Sequence, residues 1–358
     1  MWKANRITRL LNLDIPLIQG PFGGGLSSVT LVATVSEAGG LGSFGAHHLA
    51  PETILETAAA IRQRTDRPFA LNLWIPPHDP ATPADVQHGT DLLAPYYREL
   101  GLAPPALPDA DYWPDYGAQV EAILEARPAV FSFVYGIPEP AILSACRQRG
   151  IRTLGTATTV AEAQALELAG VDAIVATGFE AGGHRVSFLD QPERSLNGSF
   201  ALTPQVRDAV RLPVIAAGGI ADGRGMAAAL MLGADAVQVG TAFLGCEESN
   251  ASDLHRDALF SERAQHTGLT RAFSGRLARG IRNRFMEEMA GQQDIPGYPL
   301  QTWLTQPLKQ AAQQQGDPEL LALWASQATP LLQHRHASAL IRTMVSDCTE
   351  KLPVSLLN

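Results

Sequence analysis

Along the 358 residues, short uninterrupted apolar runs alternate with longer segments of mixed polarity. The runs occupy residues 16–19, 41–45, 69–73, 129–133, 152–156, 173–176, 213–216 and 236–240, which makes eight candidate strands. Between them, segments such as 27–38, 51–64, 160–169 and 224–232 place small or apolar residues at helical spacing. Repeated strand–helix units pair their strands in parallel, and eight of them favour closure over an open sheet. The pattern predicts an α/β chain built on a (β/α)8 TIM barrel over residues 1–243.

Two stretches break the rhythm. Residues 74–116, rich in proline and aromatic side chains, and 177–202, carrying glycines, charges and a histidine, each follow a strand and exceed an ordinary connection of about 4 to 6 residues. Loops after the strands face a barrel's active site, so both are candidate substrate loops. Beyond residue 243 the strand rhythm stops, and 318–333 and 336–350 read as helices. Residues 244–358 are expected to form a mainly helical extension packed on the barrel as part of the same domain.

Composition adds bounds. Hydrophobic residues make up 46% and charged residues 18%, ample for one large core. A barrel takes roughly 250 residues, so a barrel with an extension accounts for the length. The formal net charge of −9 gives no electrostatic reason to bind nucleic acid or an anionic membrane, which points to small-molecule partners and leaves a homo-oligomer open. Cys146, Cys246 and Cys348 supply neither a disulfide framework nor a CxxC metal pair. The opening MWKANRITRLLNLDIP lacks the apolar core and cleavage site of a signal peptide, and no stretch reaches the ~18 apolar residues of a membrane span. A reducing cytoplasm is the expected setting.

Candidate chemistry gathers after the strands. Residues 213–244, PVIAAGGIADGRGMAAALMLGADAVQVGTAFL, hold two successive strands that each end in glycine. Gly218 and Gly219 let backbone N–H groups approach an anion, and Gly240 and Thr241 open a helix whose N-terminus favours negative charge. A phosphate fits between them, where TIM barrels hold one after their seventh and eighth strands. Ordinary turn glycines are the plainer alternative. In TGFEAGGHR, after the sixth strand, His184 can exchange a proton near neutral pH and is the foremost catalytic candidate. Glu180 and Arg185 beside it read equally well as a solvated loop pair. In QGPFGGGLS, Pro21 and Phe22 make a stiff apolar wall, and Asn72 of ALNLW offers a donor and an acceptor to a heterocycle edge. Gly40, Gly42 and Gly45 spell GxGxxG but follow a helix and run into a strand, so Gly39 or Gly40 reads as a helix cap. His47 with His48, and His334 with His336, lack further ligands at useful spacing and read as surface residues; no metal is expected.

Taken in order, PLIQGPFGGG, AGGLGSFGA, LNLW, FSFVYGIP, EAGGHR, AAGGIADGRG, GADAVQVGTAFL, FSGRLARGIRNRF and YPLQTWLTQPLKQAA resemble the nitronate monooxygenases, formerly 2-nitropropane dioxygenases. These belong to a group of FMN-dependent barrels that also holds certain enoyl reductases. The resemblance covers most of the chain, extension included. It implies FMN, with its phosphate at Gly218, Gly219, Gln238, Val239, Gly240 and Thr241. Gln19, Gly20, Pro21, Phe22, Asn72 and Gly182 would surround the ring or ribityl chain, with Thr177 and Gly183 beside them. His184 matches the catalytic histidine, and Ser274 and Tyr298 would line the substrate side. Thr177 stands where relatives commonly carry glutamine and Val134 where some carry a polar residue or histidine, which removes polar groups from the region that would hold a small anion.

The implied reaction oxidises an alkyl nitronate, such as propionate 3-nitronate, with O2 to a carbonyl compound and nitrite. His184 would take a proton from a neutral nitroalkane or, when protonated, pair with the anion. Three rivals share the sequence features. They are an NAD(P)H-dependent flavin reductase of quinones or enoyl thioesters, a flavin-binding protein without turnover, and a non-redox phosphate-binding lyase or isomerase.

Overall fold

Eleven strands are found in the computed structural model, which describes residues 2–76, 82–106 and 114–353. In chain order they are β1 (Leu17–Gln19), β2 (Gly42–Gly45), β3 (Phe69–Trp74), β4 (Val130–Val134), β5 (Arg152–Ala157), β6 (Ala173–Thr177), β7 (Gly183–His184), β8 (Val214–Ala217), β9 (Ala236–Val239), β10 (Thr267–Thr270) and β11 (Ala278–Ile281). Eight of them pair in parallel in the order β1-β9-β8-β6-β5-β4-β3-β2. A parallel bridge from Ile18 to Leu41 closes the ring. These are the eight apolar runs, with ends that agree to one residue. The fold is a TIM barrel.

The two ends of the barrel are built differently. At the strand starts, the helix Arg6–Leu11 is capped by Asn5, whose side chain accepts the Ile7 and Thr8 N–H groups. It sets Ile7 and Leu11 against Ala70, Val130, Leu154, Ala173, Ile215 and Ala236 and seals that end with apolar contacts. The opposite end stays open for chemistry.

The extension is mainly helical, as expected, but also carries two strands. β10 and β11 pair antiparallel, and β11 pairs with β7, giving a second, three-stranded sheet. Residues 318–333 are not a helix either: short turns at Pro318–Leu320 and Thr329–Leu331 flank an extended stretch in which Trp324 bridges to Gly280. There Leu321, Leu323 and Ala325 are buried while Ala322 and Trp324 are only partly so, a period of two that fits extended chain. The final helix, Ala337–Lys351, forms as expected and packs on Gly223–Met231. One apolar cluster runs from Leu17 and Val237 of the barrel to Leu304 and Ile341 of the extension.

The stretch 74–116 contains the helix Pro83–Glu99; its residues 77–81 and 107–113 lie outside the described residues. The GxGxxG glycines serve packing. Gly39 ends the helix Val29–Glu37 in the left-handed conformation at φ 87°, while a Cβ on Gly42 or Gly45 would come within 2.1 Å of the Val32 or Phe22 carbonyl oxygen. Among the described residues no helix is long and apolar enough to cross a membrane.

Candidate active site

At the C-terminal ends of the barrel strands lies a cavity of about 890 Å³, within the usual range for a cofactor or small-molecule site. Gly20, Pro21 and Phe22 line it from the loop after β1, Asn72 and Trp74 from β3, and Thr177 from the end of β6. Gly182, Gly183 and His184 follow, then Gly218 and Gly219 after β8, and Gln238, Gly240 and Thr241 around the end of β9. Ser274 and Tyr298 enter from the extension, and Val134 faces the same space. Gln19 and Val239 do not line it. Gln19 is fully buried, its Oε1 accepting the Ser43 N–H at 3.0 Å and its amide donating to the Gly20 carbonyl. Val239 accepts the Gly20 N–H at 2.8 Å, so both shape the loop from behind.

One part of the cavity is a backbone cradle. Gly218 and Gly219 have φ of 97° and 71°, a left-handed pair that only glycine adopts freely, and a Cβ on Gly218 would meet the Gly178 carbonyl oxygen at 2.9 Å. Across from them, a Cβ on Gly240 would meet nothing within 4 Å, so the space above it is open. Among the described residues the N–H groups of Gly219, Gly240 and Thr241 have no backbone partner. Thr241 begins a single helical turn, Thr241–Leu244, and its Oγ1 accepts the Ser326 N–H at 3.0 Å, which leaves the hydroxyl proton to donate. Backbone donors converging on open space suit an anion.

The other part is built around His184. Pairing of β7 with β11 sets His184 opposite Ala278, and its Nε2 lies 2.8 Å from Ser274 Oγ in the β10–β11 turn. Trp74 and Trp324 flank the ring at 5.1 and 5.3 Å between centroids. Burial, helped by the nearby charges of Arg276 and Lys309, lowers its pKa to about 3. The free enzyme therefore holds a neutral imidazole, which suits a proton acceptor and not the protonated partner of an anion. Asn72 Nδ2 donates to Ser132 Oγ at 3.0 Å, which leaves its Oδ1 as an acceptor on the cavity wall.

Neither Glu180 nor Arg185 is a solvated loop residue. Glu180 accepts the Ser199 N–H and hydroxyl and so caps the helix Ser199–Ala209, while Arg185 is buried and donates to the carbonyls of Gly178 and Thr177. His47 and His48 are not surface residues: both line the cavity, and His47 stacks flat on Trp74 at 3.7 Å. Their position just past β2, at the active face, was the available signal. Arg276 lies over the rings of Tyr135 and Tyr298 at 3.5 and 4.5 Å. Among the described residues no group of three or more histidines, cysteines or carboxylates could hold a metal.

Residues 4–347 match the model of the nitronate monooxygenase family. The chain belongs to that family. It is 40% identical over 353 residues to a Staphylococcus aureus (strain Newman) protein named "Probable nitronate monooxygenase", covering 98% of this chain and 99% of that one. Among solved structures it resembles nitroalkane oxidase from Streptomyces ansochromogenes, with a TM-score of 0.89, 37% identity, and 96% and 98% of the two chains covered. FabK from Thermotoga maritima is also similar, at a TM-score of 0.74, 27% identity, and 97% and 96% coverage.

Nitronate monooxygenases are flavin-dependent enzymes, and the residues present fit a flavin. The cradle offers backbone donors and open space at Gly240, where a side chain would intrude. Lys309, within the YPLQTWLTQPLKQAA stretch, is also on the cavity wall. Read alone, a lysine among glutamines on a helix gives no sign of which way it points.

Proposed function

We propose that this chain is an FMN-dependent nitronate monooxygenase that oxidises alkyl nitronates, propionate 3-nitronate among them, with O2 to a carbonyl compound and nitrite. What carries the reading is the union, in one cavity, of a glycine cradle suited to a phosphate and a half-buried imidazole held neutral. Gly218, Gly219, Gln238, Gly240 and Thr241 would hold the phosphate, with Val239 and Gln19 fixing the loops behind. Gly20, Pro21, Phe22, Asn72, Thr177, Gly182 and Gly183 would border the ring and ribityl chain. One cradle matches the single terminal phosphate of FMN. When bound, the flavin supplies the electron transfer that nitronate and O2 require.

The chain's own residues do the rest. His184 takes the α-proton of a neutral nitroalkane, and the Ser274 hydroxyl holds its ring in place. Trp74, Trp324 and Tyr298 exclude water from the reacting end.

The test is anaerobic stopped-flow reduction of the purified yellow protein, with the released cofactor weighed by mass spectrometry. Bleaching by nitronate without bleaching by NADH supports the proposal. Rapid bleaching by NADH alone would replace it with a reductase of quinones or enoyl thioesters, and FAD at full occupancy would overturn the cofactor assignment.

A further inference from the structure

The cavity holds one charge that proton transfer does not use. Although the chain carries 36 acidic against 27 basic residues, no aspartate or glutamate is among the described residues that line the cavity. Its one lysine or arginine there is Lys309, on the helix Leu300–Gln315. Thr302, Gln306, Gln310 and Gln313 also line the cavity, at the spacing that puts one helix face against it. Among the described residues no carboxylate forms an ion pair with Lys309.

The ammonium is therefore half-buried and, among the described residues, without a counter-ion. Burial alone brings its pKa down to about 8, so it is mostly charged at neutral pH. Its charge also reaches His184, where it helps keep that ring neutral. A partly desolvated cation with no carboxylate among the described residues lining its cavity gains more from an entering anion than a solvated one would.

We propose that Lys309 binds the anionic form of the substrate, the nitronate, and that His184 serves only the neutral nitroalkane, as its proton acceptor. Lys309 supplies the positive charge that a neutral imidazole cannot. This rests on the nitronate reading given above.

The test compares Lys309→Met and Lys309→Arg with the wild-type holoenzyme. Flavin content, kcat and KM are measured for a preformed nitronate and its parent nitroalkane. Nitrate, an unreactive anion of similar shape, is titrated separately and followed by the flavin's visible spectrum. In Lys309→Met, KM for the nitronate should rise about tenfold or more relative to any change for the nitroalkane, the size of one lost charge-assisted hydrogen bond. The Kd for nitrate should rise in step, flavin content should hold, and Lys309→Arg should restore most of both. Equal shifts on the two substrates, an unchanged nitrate Kd, or loss of flavin would each overturn the assignment. If the wild-type enzyme turns over no nitronate, the proposed reaction fails; nitrate binding by wild type and Lys309→Met still decides whether Lys309 forms an anion site.

Discussion

His184 and Gly240 are the two positions where a single side chain separates the competing roles. His184→Asn removes the imidazole, the proposed proton acceptor, but keeps a smaller polar group on the side of Ser274. Oxidation of a neutral nitroalkane should fall by roughly 10²- to 10⁴-fold, the usual share of general acid–base catalysis, with a much smaller loss on a preformed nitronate. Steady-state rates on both substrates, with flavin content as the control, check this; equal losses would remove His184 from proton transfer. Gly240 has a negative φ of −102° and room for a Cβ, so a side chain there meets no steric obstacle within 4 Å. Gly240→Asp should leave the fold intact yet lower flavin occupancy, because a carboxylate would sit where a phosphate must approach. Gly219 is a poorer test, since its φ of 71° penalises any side chain. Flavin absorbance per mole of purified protein gives the answer, and wild-type occupancy in Gly240→Asp would move the phosphate elsewhere.

At the scale of elements, the seam between barrel and extension is the sensitive place. A Cβ on Gly182 would lie 2.7 Å from the Ala325 carbonyl carbon and 2.8 Å from the Ser326 nitrogen, both backbone atoms that cannot rotate away. Gly182→Ala should therefore destabilise the protein by about 1–3 kcal/mol, as overpacking of a tight contact does. Chemical denaturation measures it; a variant as stable as wild type would mean that the seam yields freely. The same seam marks the limit of what was legible in the sequence. The barrel strands stood out because burial on both faces makes them continuous apolar runs, as in AIVAT of β6. β7, β10 and β11 are two to four residues long and use glycine, threonine and arginine, and β7 finds its partner only through the extension, so no local period betrays them. The glycine turns and His184 were visible as motifs. The stack of His47 on Trp74 and the direction of Lys309 depend on how β2, β3 and the helix Leu300–Gln315 sit in space, which a one-dimensional pattern does not encode.

At the scale of the whole molecule, several histidines are folded into surroundings that resist protonation. Burial is the main cause of the lowered pKa at His184 (about 3), His255 (about 4) and His47 (well below 6.5). An unfolded chain takes up these protons near pH 6.5 while the folded one does not, so stability is full above that pH and is lost as pH falls toward 4 to 3. Each such group contributes up to about 1.4 kcal/mol per pH unit across that window. Melting curves at pH 8.5 and 7.5 should agree and that at pH 5.5 should lie lower; a constant Tm down to pH 5.5 would show that the folded protein protonates these rings. The pairing of His184 with Ala278 also sets an order in time. On the ribosome the eighth barrel strand is complete at Val239, before either Ser274 or Ala278 has been added. A message cut short after the barrel would encode the glycine turns and His184 without Ser274 and Ala278, the residues that fix its ring, so the vessel is made before the setting of its imidazole.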